Sequence, residues 1–107
     1  MKNLFIPLKT PYYEAFVAGT KTTEFRPHGP RWNAKSCQVG RGVTLSKGYG
    51  KGNRLAGVVV RFEAMQVGSK LWNEAYSQAD TEAWREIYPD KTEAACIKIQ
   101  VLPGGES

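Results

Sequence analysis

Residues 19–26 read Gly-Thr-Lys-Thr-Thr-Glu-Phe-Arg. A glycine suited to ending a helix runs straight into a β-branched and aromatic stretch, so the chain turns here from a helix into a strand. Upstream, Thr10-Pro11 opens that helix, with Thr10 as the cap and Pro11 at the first helical position. Tyr12, Tyr13, Phe16 and Val17 recur along it at helical spacing. Before the helix, Leu4, Ile6 and Leu8 share one face of a strand over Asn3–Leu8. Downstream, Thr22–Arg26 is predicted as the second strand. Pro27–Ser36 follows as a long connection with at most one helical turn. Val43–Ser46 and Leu55–Ala64 read as strands joined by the glycine-rich loop Lys47-Gly-Tyr-Gly-Lys-Gly-Asn53. Val58, Val60 and Phe62 are expected on one face of the second of these. Leu71, Trp72, Ala75 and Tyr76 mark a short helix. Asp80 is expected to cap another, with Trp84, Ile87 and Tyr88 on its core side and Pro89 as its stop. Ala94–Val101 alternates, placing Ala95, Ile97, Ile99 and Val101 inward and Lys98 and Gln100 outward.

Strands mostly follow strands, which argues against a repeated βαβ plan. The expected class is α+β: a small, mixed, partly closed β-barrel of about five strands with two or three short helices at its mouth. With 107 residues the chain forms one domain, expected over 1–102, with a frayed tail at 103–107. Hydrophobic residues make up 41% and charged residues 23%, an ordinary globular composition rather than a disordered or fibrous one. No apolar run approaches the ~20 residues of a membrane span. The first nine residues are interrupted by Pro7 too early for a secretory signal, so the expected location is cytoplasmic. Two cysteines and a single histidine fall short of the about four ligands of a structural zinc site. No cofactor or metal is expected, since the common nucleotide, metalloprotease and hydrolase signatures are absent.

Charge is unevenly placed. Residues 1–54 carry ten bases and two acids, a balance of +8, while residues 55–107 carry five bases and eight acids, a balance of −3. A one-sided basic field attracts polyanions, nucleic acid above all. The cations of the hairpin loop, Lys47, Lys51 and Arg54, flank Tyr49, and single strands are held by such mixtures of cations and aromatics. Trp32 has two open readings, as a stacking platform or as core.

Within residues 19–26, Gly19, Lys21, Glu24 and Arg26 spell G-x-K-x-x-E-x-R. Glu24 and Arg26 lie two apart on a strand and share a face. Lys21 joins them only if the turn or a bulge rotates it. Two readings stand open for the trio: a polar cleft in which cations bind phosphate and the carboxylate accepts from a base edge, or an ion pair tying the helix to the barrel. With Ile6-Pro-Leu-Lys9, Tyr12 and Phe16 before it, and Trp32, Val43–Gly50, Val58–Phe62 and Ile87-Tyr-Pro89 after it, the motif resembles the ASCH family, the activating-signal-cointegrator homology domains. That resemblance covers nearly the whole chain and implies a PUA-like barrel that acts on RNA, encoded by a bacterium or phage. The function it favours is recognition of single-stranded RNA or a modified nucleotide through Lys21, Glu24 and Arg26, with Lys47, Tyr49, Lys51 and Arg54 at the rim.

The resemblance also opens an enzymatic alternative. Some similar proteins are amidohydrolases that remove an acetyl group from acetylated cytidine, with the motif lysine as nucleophile. That role maps onto Lys21. The supporting threonine of the pattern is Glu24 here, and the catalytic glutamate has Glu74 and Glu82 as candidates. If the protein is an enzyme, Lys21 and Glu24 are its candidate catalytic residues. A nucleophilic lysine must be neutral, whereas an adjacent carboxylate favours the ammonium, so Lys21 reads better as an anion ligand. A metal-independent ribonuclease is the other hydrolytic reading, with His28 as the side chain that titrates near neutrality. A protein-interaction role forms a third class, in which the basic half meets an acidic partner.

Overall fold

A computed structural model describes residues 1–106, with side chains described through Pro103. The elements run β1 (Leu4–Leu8), α1 (Thr10–Ala18), β2 (Thr23–Pro27), β3 (Gly42–Lys47), β4 (Arg54–Gln66), α2 (Lys70–Ala75), α3 (Gln78–Ile87) and β5 (Glu93–Glu106). The five strands form one sheet in the order β1-β3-β4-β5-β2, curled into a half-barrel. The β1–β3 pair is parallel and the other three pairings are antiparallel. This is the mixed α+β half-barrel with three helices that the sequence predicts.

Alternating burial assigns the two faces of the sheet. Ile6, Val43, Leu45, Val59, Ile97 and Ile99 point into the concave face and meet Phe16 of α1. Trp32 joins them at 7% exposure, which settles it as core. The convex side of β5 is covered too: Ala94 and Cys96 lie under Trp72 of α2 and Trp84 of α3, with Met65 of β4. Strand β5 is thus buried on both faces over Ala94–Ile97. The predicted inward set on β5 is correct in register, and the strand runs past Val101 to Glu106. The expected tail falls partly on residues whose side chains are not described, and Ser107 lies outside the described residues.

The corrections are local. The N-cap of α1 is Lys9, with no side-chain cap. Thr10 is already helical, and the Tyr12 and Tyr13 amides donate to the Lys9 carbonyl at 3.0 Å each. Helix α3 is capped by Ser77. Its hydroxyl accepts from the Asp80 amide at 3.2 Å, and the Asp80 carboxylate accepts from the Ser77 amide at 3.1 Å, so Asp80 is the third helical residue of a capping box. Ile87 is 44% exposed and leaves the core to Trp84. In the first half of β4 the buried positions are Leu55, Gly57 and Val59, not Val58 and Val60. A register shift between Val59 and Arg61 then reverses the alternation and turns Phe62 towards the concave core. Gly57 is required where β4 crosses β5, because a Cβ there would stand 2.8 Å from Ile99 Cγ2 and 3.0 Å from the Gln100 carbonyl.

Candidate functional site

The two outer strands of the half-barrel, β1 and β2, are not paired with each other. The seam between them is where residues 19–26 come to rest. Gly19 ends α1 with φ 77°, a left-handed value that glycine adopts without strain. The Thr20 and Lys21 amides then donate to the Ala15 carbonyl at 3.0 and 3.2 Å, wrapping the chain around the helix end. Because β2 begins only at Thr23, Lys21 is free of the strand's alternation and swings back beside it.

All three motif side chains therefore meet. Lys21 Nζ lies 3.7 Å from Glu24 Oε1, and Arg26 Nε donates to Glu24 Oε2 at 2.8 Å. Glu24 is 7% exposed, so its carboxylate is held between two cations with little water. Arg26 Nη2 crosses the seam and donates to the Pro7 carbonyl of β1 at 2.7 Å, while its guanidinium lies 5.1 Å from the Trp32 ring. Arg26 thus ties the two sheet edges together. Lys21 Nζ is surrounded by rings, at 5.1 Å from Phe25, 5.5 Å from Tyr12 and 5.7 Å from Phe16.

Two hollows adjoin this cluster. The smaller, about 220 Å³, lies on the seam, with Lys21, Glu24 and Arg26 among its lining and Tyr12, Phe25, Trp84 and Tyr88 as aromatic walls. Its charged lining is Lys9, Lys21 and Arg26 against Glu24 and Asp80. The larger, about 580 Å³, runs along the convex side of β2, β5 and β4 beneath α2. The two share Lys21, Phe25 and Asp80. Burial pushes the Tyr88 hydroxyl above the usual tyrosine range in the smaller hollow, and burial followed by the neighbouring Cys96 does the same to Tyr76 in the larger. Both phenols keep their protons at neutral pH and stand as donors.

Cys96 lines the larger hollow, and burial pushes its thiol up to about 11. In the unfolded chain the thiol ionises near ~8.5. The folded protein therefore holds the extra proton across that window, and stability falls as pH rises through it while staying unaffected below. Tyr76 adds to the decline at its upper end. Urea unfolding at pH 7, 8.5 and 10 is expected to show a falling midpoint, and Cys96→Ala should make the decline shallower. A slope identical in the variant would show that other groups cause it.

The hairpin residues take a different place. Lys47 Nζ is 3.6 Å from Glu14 Oε1 of α1. Tyr49 is 82% exposed, its ring 6.4 Å from that of Phe5, and the Arg54 guanidinium lies 5.3 Å from the same Phe5 ring. Lys51 is exposed on the loop. None of these four lines either hollow. His28 also stands apart, with Nδ1 2.9 Å from Glu93 Oε1. Of the two glutamates, Glu74 lines the larger hollow with Lys21, and Glu82 lines neither. Sequence reasoning missed Arg61, which has no local signal because its orientation follows from the bulge. Tyr88, expected on the core side, packs half-buried against the convex core and also forms a wall of the seam hollow, a second role that sequence reasoning missed. Asp80 was read only as a helix cap; the spacing Ser77-x-x-Asp80, that of a capping box, is the signal that could have placed it at the third helical position, from which it lines both hollows.

Among the described residues no group of three or more His, Cys, Asp or Glu side chains is placed to hold a metal ion, and no helix is long and apolar enough to cross a membrane.

A five-stranded mixed sheet curled into a half-barrel with three helices is an ASCH-like fold, and solved structures share it. The hypothetical protein PH0355 superposes with a TM-score of 0.71 at 15% identity, over 94% of this chain and 100% of its own. Two single-substitution variants of ZmASCH from Zymomonas mobilis give 0.65 and 0.64 at 16% and 19% identity, over 94% and 90% of this chain and 70% and 66% of theirs. No family model matches the sequence, and no curated protein matches it.

Proposed function

We propose that the seam hollow receives a nucleobase, either of an RNA strand or of a modified nucleotide. The observation that carries this reading is the pairing of Lys21 with Glu24 between aromatic walls. An ammonium donates to a base carbonyl, a carboxylate accepts from a base amino group, and rings on both sides stack on the base faces. Lys21 and Arg26 are both already paired with Glu24, which suits a neutral heterocycle better than a bare phosphate. Arg26 has its Nε committed to Glu24 and its Nη2 to the Pro7 carbonyl and acts as the brace of the site. The likeness to ZmASCH supports the fold on which the site is built. The hairpin cations Lys47, Lys51 and Arg54 with Tyr49 lie outside the hollow and serve as a flanking surface for the same strand.

Trp84 in the wall provides the assay. Titration with ribonucleosides and short single-stranded RNA is expected to quench its fluorescence. Lys21→Met and Glu24→Gln should each weaken binding by about tenfold, the worth of one charge-assisted hydrogen bond. Unchanged affinity in both variants, or no binding at low salt, would remove this reading.

A second reading rests on Lys21 and Glu74 sharing the larger hollow. That pair, with the Thr22 and Thr23 hydroxyls nearby, suits hydrolysis of an acyl group from an acylated nucleoside. Release of acetate from acetylated cytidine, lost in Lys21→Met and in Glu74→Gln, is the expected sign. The ribonuclease reading has less support, since His28 lines neither hollow.

A further inference from the structure

The bulge in β4 does more than reverse an alternation. Val59 pairs with Ile99, and the next pair is Arg61 with Lys98, so β4 advances two residues where β5 advances one. Without the extra residue Val60 would stand opposite Lys98. With it, a guanidinium stands there instead. On the other side of β5, Lys98 pairs with Thr23 of β2. Thr23, Lys98 and Arg61 thus form one row across three strands, and all three line the larger hollow.

Two cations directly opposite each other on a sheet repel unless an anion lies between them. Arg61 gives its Nε to Glu63 Oε1 at 2.7 Å, which leaves the rest of its fork uncommitted to that carboxylate. Lys98 has no ion-pair partner among the described residues and is exposed. Of the acids lining the hollow, Glu63 is engaged with Arg61 and Asp80 is engaged with Ser77, while Glu74 is contributed by α2 and not by the sheet. As a whole the larger hollow sets Lys21, Arg61 and Lys98 against Glu63, Glu74 and Asp80, but on its sheet side the Lys98–Arg61 pair has Glu63 alone beside it; that side carries the Thr23 hydroxyl and connects through Lys21 to the seam hollow.

We propose that the Thr23–Lys98–Arg61 row is a phosphate site, so that the ligand of this cleft is a phosphate-bearing nucleotide or strand rather than a free nucleoside. This rests on the nucleobase reading of the seam hollow and adds to it the unit bound next door. The bulge is the device that builds the site, since it aims a second cation at the phosphate where the regular strand would offer valine.

The experiment is titration calorimetry with the four ribonucleosides, their 3′- and 5′-monophosphates and the dinucleoside monophosphates, on the native protein and on Lys98→Ala, Arg61→Ala and the double variant. Both side chains are exposed, and a thermal melt of each variant checks that the fold is retained. In the native protein a phosphate is expected to raise affinity by about tenfold or more over the matching nucleoside, with a salt dependence that the nucleoside lacks. The gain should shrink in each single variant and vanish in the double one. Tighter binding of dinucleoside monophosphates than of monophosphates assigns the site to a strand, and the reverse assigns it to a free nucleotide. Nucleoside binding with no gain from phosphate, or a gain that survives the double variant, overturns this inference alone. No binding by any of these compounds overturns the nucleobase reading with it.

Discussion

Trp72→Ala is expected to cost about 3–5 kcal/mol, enough to unfold a domain of this size or to strip α2 and α3 from the sheet. Trp72 is fully buried and stands at the centre of the convex core. Its ring lies 5.2 Å from Phe25, 4.8 Å from Tyr76 and 6.4 Å from Trp84, so it joins β2, α2 and α3 in one cluster. Its indole Nε1 donates to Thr81 Oγ1 at 2.8 Å, and Thr81 is itself buried. Removing the ring opens a cavity that rigid neighbours cannot fill. The milder Thr81→Val keeps the packing and strands the indole N–H, for about 1–3 kcal/mol. Urea unfolding measures both. Tertiary aromatic signal lost with strand signal retained would show that the helices detach first. A loss under 1 kcal/mol in Trp72→Ala would mean that the convex core contributes little. Both hollows have helix residues in their walls, so any variant that releases α2 and α3 also removes the binding site.

Glu24→Ala is expected to have the largest effect on the site itself. The carboxylate is the bridge between Lys21 and Arg26, and without it two cations face each other at the seam. Breaking a buried pair by deleting one partner costs about 3–5 kcal/mol; the cations here are nearly one-fifth exposed, so about 2 kcal/mol is the better expectation. Arg26 also loses the group that orients it towards the Pro7 carbonyl, and the seam loosens. Nucleobase binding should fall by far more than the tenfold expected of Glu24→Gln, because the amide retains an acceptor and the shape of the floor. The double variant with Lys21→Met tests coupling: its stability loss should be smaller than the sum of the two single losses, since removing the lysine relieves the repulsion that Glu24→Ala creates. Additive losses would show that Lys21 and Glu24 do not interact.

Much of the fold was legible because hydrophobic alternation survives in the sequence. Leu4-x-Ile6-x-Leu8 and Ala95-x-Ile97-x-Ile99 each name the concave face directly. Val58, Val60 and Phe62 mislead for a physical reason. A bulge breaks the two-residue period, and nothing in Val-Val-Val-Arg marks where the extra residue enters. At the site, the face shared by Glu24 and Arg26 followed from strand geometry. The position of Lys21 did not, because it depends on two amides folding back onto one carbonyl at the helix end. The placing of Lys47, Tyr49, Lys51 and Arg54 at the rim of the cleft came from composition, and composition records that cations and aromatics share a loop without recording which way the loop faces. In the structure Tyr49 and Arg54 lie beside Phe5, Lys47 pairs with Glu14, and Lys51 stands exposed on the loop.

The central place of β5 has a consequence for synthesis. Every other element precedes it in the chain, yet it is the strand that β2 and β4 both require. On the ribosome, a nascent chain that has extended only through α3 has partners available only among β1, β3 and β4, while β2 has no neighbour and the residues of the seam motif have no frame. Insertion of β5 between β2 and β4 is the closing event, and it joins strands far apart in sequence, which makes it slow. Until then the aromatic residues of α2 and α3 have only the Met65 side of β4 to cover, and the cleft is completed only when β5 is in place.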